Sequence, residues 1–243
     1  MITDPRHDPM GQAILDYYHG SLDAVIRVLS DVADDDVIPA RYLFRSTSDM
    51  PLLEQRALDE CRGKVLDVGA GAGSHSLALQ SRGHSVVAMD ISPGGVDVMQ
   101  ARGVRTVLHR SIWEAPDEQF DTILMMMNGI GLVGNLAGLE RFFHHIRSFL
   151  LPEGQILLDS SDLMYLFPNQ DEAIHLLMNE EYHGIVNYKM VYKDVRGKPF
   201  DWIFLDYQRL AWHAQKCDFQ CELLQKGGHF DYLARLWVDS SKI

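Results

Sequence analysis

Cysteine is scarce in this 243-residue chain. The three cysteines, Cys61, Cys217 and Cys221, are an odd number and lack the paired spacing of a metal site. Cys217 and Cys221 also stand next to apolar residues, in a segment predicted to belong to the core. We therefore expect reduced thiols in a cytoplasmic protein, and the sequence implies no metal.

Positive charge is also in short supply. The chain has 22 Lys and Arg residues against 34 Asp and Glu residues, a formal net charge of −12. Such a charge repels phosphate backbones, and no Lys- or Arg-rich stripe offsets the repulsion. A nucleic-acid partner is therefore disfavoured.

Long apolar runs are nearly absent. The first ten residues, MITDPRHDPM, do not show the charged-then-apolar pattern of a signal peptide. The one long apolar stretch, residues 123–139, is interrupted by glycine and asparagine, which favours a strand, a loop and a helix start over a membrane span. With 47% hydrophobic residues, the chain is expected to bury a core of its own and to have no membrane partner.

Short aliphatic runs alternate with helical patterns from residue 64 onward. This alternation is typical of an α/β fold in which crossover helices connect the strands of a parallel sheet. The predicted strands are 64–68, 85–91, 105–110, 120–127 and 155–161. A helix with one apolar stripe, Leu139 to Leu150, precedes the last of them.

The segments outside this alternation have other patterns. Residues 1–55 are predicted to be a helical extension that covers the main domain, residues 56–243. Within that domain, two β-type runs at about 184–207 predict an inserted hairpin, and runs at about 219–226 and 230–238 predict a second one. The inserted hairpin could be a wall of the site or the contact of a homodimer.

A glycine-rich turn follows the first strand. The stretch KVLDVGAGAGSHSLAL, residues 64–79, places Gly69, Gly71 and Gly73 at alternate positions between a strand and a helix. Glycine tolerates positive φ and leaves the backbone bare, so a ligand can lie against its amides and the helix N-terminus. Asp90 ends the next strand, where a carboxylate can accept both hydroxyls of a ribose.

Two cofactor classes use such a turn. The dinucleotide pattern G-x-G-x-x-G requires a third glycine where this chain has Ser74. Asp67, before the glycines, would repel a pyrophosphate but would pair with the ammonium group of an amino acid. An amino-acid ammonium at one end and a ribose at the other describe S-adenosylmethionine, whereas an NAD(P)-dependent oxidoreductase is the alternative.

At these residues the chain resembles the class I S-adenosylmethionine-dependent methyltransferases. The similarity covers about residues 50–167 and the terminal strand pair, through VLDVGAGAG, VVAMDIS, SIWEAP, FDTILMMMNGIG and LLPEGQILLDSSD. It implies a doubly wound, Rossmann-like sheet of seven strands in the order 3-2-1-4-5-7-6, with one strand antiparallel. S-Adenosylmethionine is the implied cofactor and S-adenosylhomocysteine its product.

The resemblance also assigns binding roles. The methionine part would lie against Asp67 and the loop, the ribose on Asp90, and the adenine on Ile91 and the loop after the third strand. Asn128 would stand beside the exit path of the methyl group. The residues implied are Asp67, Gly69, Ala70, Gly71, Gly73, Asp90, Ile91, Ser111, Ile112 and Asn128. Arg45, outside these motifs, could pair with the methionine carboxylate.

A catalytic base is harder to assign. The candidates are His19, Tyr18 and Asp162, and each has a structural alternative as a helix cap or a packing residue. His75, in the turn itself, is better explained by its place at the helix start. A module that binds the cofactor without catalysis therefore stays open as an interpretation.

The acceptor is expected to be a small molecule. The fourth motif is MNGIG and not the N-P-P-Y type that holds a flipped adenine, and no cysteine lies in the motif loops for covalent attack on a pyrimidine. The segments YYHG, 17–20, and RYLFRS, 41–46, combine aromatic rings with polar groups, which suits the wall of a substrate pocket.

Overall fold

The computed structural model describes residue 2 and residues 4–115, 117–166 and 182–238. The helices are α1 Pro9–Tyr18, α2 Leu52–Glu60, α3 Ser74–Ser81, α4 Pro93–Ala101, α5 Leu136–Ile146 and α6 Tyr207–Lys216. The strands are β1 Val25–Ser30, β2 Asp36–Pro39, β3 Lys64–Val68, β4 Ser85–Asp90, β5 Val107–His109, β6 Phe120–Met125, β7 Leu150–Ser161, β8 Ile185–Tyr192, β9 Val195–Arg196, β10 Phe200–Ile203, β11 Phe219–Lys226 and β12 Asp231–Val238.

A seven-stranded sheet forms the centre of the chain. Its order is β11-β12-β7-β6-β3-β4-β5, and β12 runs antiparallel to both of its neighbours. This is the predicted order, 3-2-1-4-5-7-6. The order reverses between β3 and β6, so a crevice opens at their carboxyl ends, where ligands bind in such sheets.

Helices cover both faces of this sheet and explain its apolar strands. The stripe predicted on α5 is fully buried against one face through Leu139, Phe142, Phe143 and Ile146. On the opposite face, α2 and α3 pack over the strands through Leu53 and Leu79, among others. Strands that are buried on both sides have no polar face, which is why their sequences lack alternation.

The fifth strand of the alternation begins earlier than predicted. Pro152, Glu153 and Gly154 have the composition of a turn that would precede the strand, yet β7 runs through them from Leu150. The chain accommodates these residues with a shift in register against β6 and with Glu153 at φ +64°. An irregular strand start therefore replaces the expected turn.

The prediction of a helical extension is correct for α1 and α2 and wrong between them. Residues 25–30 and 36–39 form an antiparallel pair of strands, β1 and β2. Gly20, at φ +106°, ends the helical run, and the β-branched residues of VIRV bury every second side chain. Period-2 burial fits a strand and not the continuous helix that was expected.

The inserted hairpin joins these strands in one sheet. β8 pairs with β10 and β9, as predicted, and its other edge pairs with β1. The resulting sheet, which we call the cover sheet, consists of β1, β2, β8, β9 and β10. Two segments about 150 residues apart in the chain thus build a single element, because each supplies the hydrogen-bonding edge that the other lacks.

Two expectations from composition can be compared with the structure. Cys61, Cys217 and Cys221 are all free thiols, as expected. Residues 123–139 comprise the end of β6, a 3-10 turn and the start of α5, which is the predicted division. Within the described ranges, no helix is long and apolar enough to cross a membrane.

Helix α1 docks on α4 through two glycines. A Cβ atom on Gly94 would lie 2.5 Å from the carbonyl oxygen of Gly11, so the two backbones touch. Asp8, only 2% exposed, holds the same junction by accepting hydrogen bonds from the Gly11 amide and the Ser92 hydroxyl. The N-terminal helix is therefore attached to the loop that follows β4.

We predict that Gly94→Ala destabilises the docking of α1. The added methyl group must displace the Gly11 backbone, and overpacking of this kind costs about 1 to 3 kcal/mol. Hydrogen exchange should increase in residues 9–18, and the melting temperature should fall. Gly228→Ala is the control, because a Cβ atom there meets nothing within 4 Å; equal exchange in both variants would contradict the prediction.

Candidate active site

The three glycines of the turn have different tasks. All have positive φ, at +70° for Gly69, +57° for Gly71 and +81° for Gly73. A Cβ atom on Gly69 or Gly71 would meet nothing within 4 Å, whereas one on Gly73 would lie 2.9 Å from Met99 and Val104. The first two glycines thus leave open space along the backbone, and the third allows α4 to pack closely.

Asp90 is fixed at the end of β4 by backbone amides. Its two oxygens accept hydrogen bonds from the Gly71 amide, at 2.7 Å, and the Ser92 amide, at 2.8 Å. Burial raises the pKa of this carboxyl, and the amides of Ser92 and Gly71 oppose the increase. Each oxygen accepts one of these amides and keeps further acceptor capacity for a ligand hydroxyl. Ile91, 43% exposed, offers an apolar surface beside it.

Asp67 is the most deeply buried carboxylate of this edge. It is 2% exposed and accepts a hydrogen bond of 2.6 Å from the Ser76 hydroxyl. Burial raises its pKa, and the nearby His75 opposes the increase. A buried carboxylate with only one side-chain donor is suited to bind an ammonium group.

Three segments enclose a small cavity next to Asp67. The glycine turn forms its floor, Leu43 and Arg45 reach it from the chain that follows the cover sheet, and Met126 and Met127 reach it from the end of β6. Its volume is about 40 Å³. The chain that follows β2 therefore contributes to the wall of the cavity. That RYLFRS forms the wall of a substrate pocket stays a prediction.

Arg45 belongs to a buried group of charges. Its side chain is 6% exposed and forms an ion pair with Glu54, which also hydrogen-bonds Nε2 of His75 at 2.7 Å. Burial alone would lower the pKa of His75, but Glu54 and Asp67 raise it above its ordinary value. The Nε atom of Arg45 is buried and has no partner among the described residues. Arg45 thus lines the cavity with an unused donor.

Sequence analysis did not identify Glu54 or Asp159. Glu54 lies on a helix whose pattern is simply amphipathic, so nothing marks it as buried. Asp159 could have been found by the criterion that identified Asp67 and Asp90, because it too lies near the carboxyl end of a strand, two residues before the last residue of β7.

Asp159 stabilises the turn that follows β6. One of its oxygens accepts a hydrogen bond of 2.8 Å from the Asn128 amide. Burial raises its pKa to about 7, and the negative charge of Glu54 acts in the same direction. The residue as a whole is nevertheless only partly buried.

The turn itself has an uncommon backbone. Met127 and Asn128 have φ of +64° and +57°, which two consecutive non-glycine residues rarely adopt. The side-chain oxygen of Asn128 accepts a hydrogen bond of 2.9 Å from the Ser161 hydroxyl. Asn128 therefore helps to order this turn. Its place beside the exit path of the methyl group stays a prediction. Such constrained turns concentrate at functional sites.

The loop after β5 adjoins Asp90, and its contact with an adenine stays a prediction. The Arg110 amide donates to the carbonyl oxygen of Asp90, which brings Ser111 to the same edge. The Ser111 amide is bonded to Glu114, and its hydroxyl accepts the Trp113 amide. Ile112 is buried, and its carbonyl accepts a hydrogen bond from His145. The loop is thus ordered by its own contacts.

The three candidate bases lie apart from this cluster. Tyr18 and His19 are exposed at the end of α1, where the Tyr18 hydroxyl is 3.4 Å from the carbonyl oxygen of Ala101. This is the end of α4 that points away from the carboxyl edge. Asp162 follows β7 at the correct edge, but it accepts the Met164 amide and lies 3.3 Å from His183. None of the three lines the cavity; Asp159 does not line it either, but it lies level with Met126, which does.

Comparison with known proteins identifies similar chains. Residues 40–222 match the family model described as a methyltransferase domain. A crystal structure of an S-adenosylmethionine-dependent methyltransferase from Bacteroides fragilis, in complex with S-adenosyl-L-homocysteine, is 44% identical. The alignment covers 98% of both chains, with a TM-score of 0.91.

More distant proteins share part of the sequence or the fold. A demethylmenaquinone methyltransferase from Tropheryma whipplei is 25% identical over 166 residues, which are 65% of this chain and 66%, just under two thirds, of that protein. The sugar N-methyltransferase KedS8 from a Streptoalloteichus species is 14% identical, with a TM-score of 0.56 and coverage of 87% of this chain and 97% of that one. The latter likeness shows the fold alone.

The raised pKa of Asp159 predicts a specific dependence of stability on pH. Since this pKa is about 7 in the folded chain, against an ordinary value of 3.8, the folded state binds the extra proton and stability is lost as pH rises between these values. Asp159→Asn avoids that loss. Its stability relative to the parent should rise by about 1 to 4 kcal/mol between pH 4 and pH 8, at about 1.4 kcal/mol per pKa unit. Denaturant titrations measure the difference, and a constant difference over this range would contradict it.

Proposed function

Because the chain belongs to the methyltransferase-domain family and depends on S-adenosylmethionine, we propose that it methylates a small molecule. Family membership decides against the nicotinamide-dependent oxidoreductase, and against a module that binds the cofactor without catalysis. The observation that supports the assignment of the site is the pair of held carboxylates, Asp90 and Asp67, at either end of an open glycine turn.

The residues present fit the cofactor at both ends. Ribose hydroxyls would donate to the remaining acceptor positions of Asp90, and the adenine would pack on Ile91. The ammonium group of the methionine part would meet Asp67, and its carboxylate would meet the unused Nε donor of Arg45. The space above Gly69 and Gly71 lets the ligand approach the backbone between these ends.

The cofactor supplies a methyl group already activated on a sulfonium. What the chain must add is alignment of the acceptor and exclusion of water. We propose that the cover sheet, α1 and the chain that follows β2 serve this task. Trp202 of β10 packs on Gly131, just after the constrained turn, and Ile14 of α1 packs on Ala72 of the glycine turn. Residues of the cover sheet and of α1 thus adjoin the two ends of the site.

A small acceptor is supported by three observations. The described part of the site is a narrow cavity that three segments enclose. The acidic chain, with its charge of −12, offers no grip to nucleic acid. Among the similar proteins, the demethylmenaquinone methyltransferase is named for a small acceptor. Cytoplasmic location and a homodimer remain predictions.

We predict that Asp90→Ala weakens the binding of S-adenosylhomocysteine by about 10- to 100-fold. The substitution removes the charged acceptor for the ribose hydroxyls, a loss of about 1.5 to 3 kcal/mol. Calorimetric titration measures the change. Asp97→Ala, on the exposed face of α4, is the matched control and should bind as the parent does. Unchanged affinity in the Asp90 variant would refute the ribose assignment, and the same titration of Arg45→Met tests the methionine end.

The acceptor class can be tested with an extract of the source cells. The extract, stripped of its own small methyl donors, is incubated with the protein and S-adenosylmethionine that carries a labelled methyl group, then separated by ultrafiltration. We expect enzyme-dependent label in the fraction below about 1 kDa, and none with Asp90→Ala. Label that stays with protein or nucleic acid would contradict a small-molecule acceptor.

A further inference from the structure

We propose that Asp159 is the general base that removes the proton of the acceptor atom, so that the acceptor is an amine or a hydroxyl group. This inference rests on the proposed function. It begins from a carboxylate that none of the implied cofactor contacts uses.

The strand register places Asp159 beside the cavity. In the parallel pair of β6 and β7, Met125 lies opposite Leu158, so Asp159 comes level with Met126. Neighbouring strands are about 4.8 Å apart, and Met126 lines the cavity. The hydrogen bond from the Asn128 amide shows that the carboxylate reaches across the end of β6. It therefore borders the site on the side of the turn where the methyl group is expected to leave.

The surroundings of Asp159 leave its charge uncompensated. Glu54 of α2 adds a negative charge, although His75 of α3 acts in the opposite direction. Arg45 and His75 are both engaged by Glu54, and Tyr42 is a neutral phenol under the Arg45 guanidinium. On the neighbouring strand β12, Leu233 is the partner of Asp159. Among the described residues, Asp159 has no ion pair and accepts backbone hydrogen bonds from the amides of Asn128 and Gly129, which leaves its remaining acceptor positions to a donor from a ligand.

Other groups at this edge are less suited to accept a proton. Asp67 is 2% exposed and committed to Ser76, and His75 has a raised pKa, which favours the form that already carries the proton. Burial also raises the pKa of Tyr42 and opposes its ionisation. The pKa of Asp159, about 7, is by contrast close to the value at which a base is most effective near neutral pH.

The step balances with the groups named. A lone pair of the acceptor nitrogen or oxygen forms the bond to the methyl carbon, and the carbon–sulfur bond breaks, with its electron pair left on sulfur as the thioether of S-adenosylhomocysteine. The proton of the acceptor atom passes to the Asp159 carboxylate and from there to water. No oxidant, reductant or metal is needed.

The test uses sinefungin, the analogue of S-adenosylmethionine in which a carbon bearing an ammonium group replaces the methylsulfonium, so that the ammonium group occupies the position of the transferable methyl group. If Asp159 faces that position, the parent should bind sinefungin at least about tenfold more tightly than S-adenosylhomocysteine at about pH 8, through a charge-assisted hydrogen bond. The preference should shrink toward unity at about pH 5.5, where Asp159 is protonated. Asp159→Asn should bind both ligands alike at either pH. Calorimetry on the full chain gives each ratio.

Asp162→Asn is the matched control, since Asp162 ends the same stretch of chain but has other partners. It should keep the preference of the parent. The inference is overturned if Asp159→Asn keeps the preference, if Asp162→Asn loses it, or if the parent shows none or shows one that does not change with pH. If Asp159→Asn does not fold, the parent alone decides: the inference is overturned when the parent shows no preference for sinefungin, or when its preference does not change with pH. Failure of the proposed function is different, because the parent would then not bind S-adenosylhomocysteine at all.

Discussion

Three carboxylates, Asp67, Asp90 and Asp159, are buried or partly buried at one edge of the sheet, near the ends of β3, β4 and β7. Burial raises the pKa of each, so every one of them is held in the fold at a cost in free energy. Hydroxyl and amide donors lower that cost, and among the described residues no arginine forms an ion pair with any of the three. Two of these amides, those of Gly71 and Asn128, belong to the left-handed residues after β3 and β6.

The buried charges beside this edge connect separate elements of the fold. Glu54 of α2 binds both Arg45, from the chain that follows the cover sheet, and His75 of α3. A buried ion group of this kind adds little net stability, but removing one member leaves the others unpaired. Its value is positional: it fixes the wall of the cavity to the helix that begins at the glycine turn.

The cover sheet, on the substrate side of the molecule, forms by pairing between strands that are far apart in the sequence. β1 and β8 are distant in the chain. The Tyr192 hydroxyl of β8 donates a hydrogen bond to Asp16 of α1, which is also distant from it in the chain. The cofactor edge, in contrast, is built from a local strand, turn and helix. This arrangement lets one fold keep a cofactor edge while its cover varies, which agrees with the low identity of the fold neighbours.

The sequence by itself determined the parallel sheet and the glycine turn with Asp67 and Asp90, because these depend on local periodicity and on motifs of fixed spacing. The order of the seven strands was implied by the resemblance of those motifs to a known family. The tertiary structure alone decided what depends on contacts between distant segments. β1 and β2, within residues 25–39, depend on the pairing of β1 with β8. The burial of Glu54 and the direction of the Arg45 side chain depend on the ion pairs of Glu54 with Arg45 and His75. Asp159 is an intermediate case: its position at a strand end is local, but its raised pKa comes from burial and from the charge of Glu54. Neither burial nor the approach of a distant charge is encoded in any single stretch of residues.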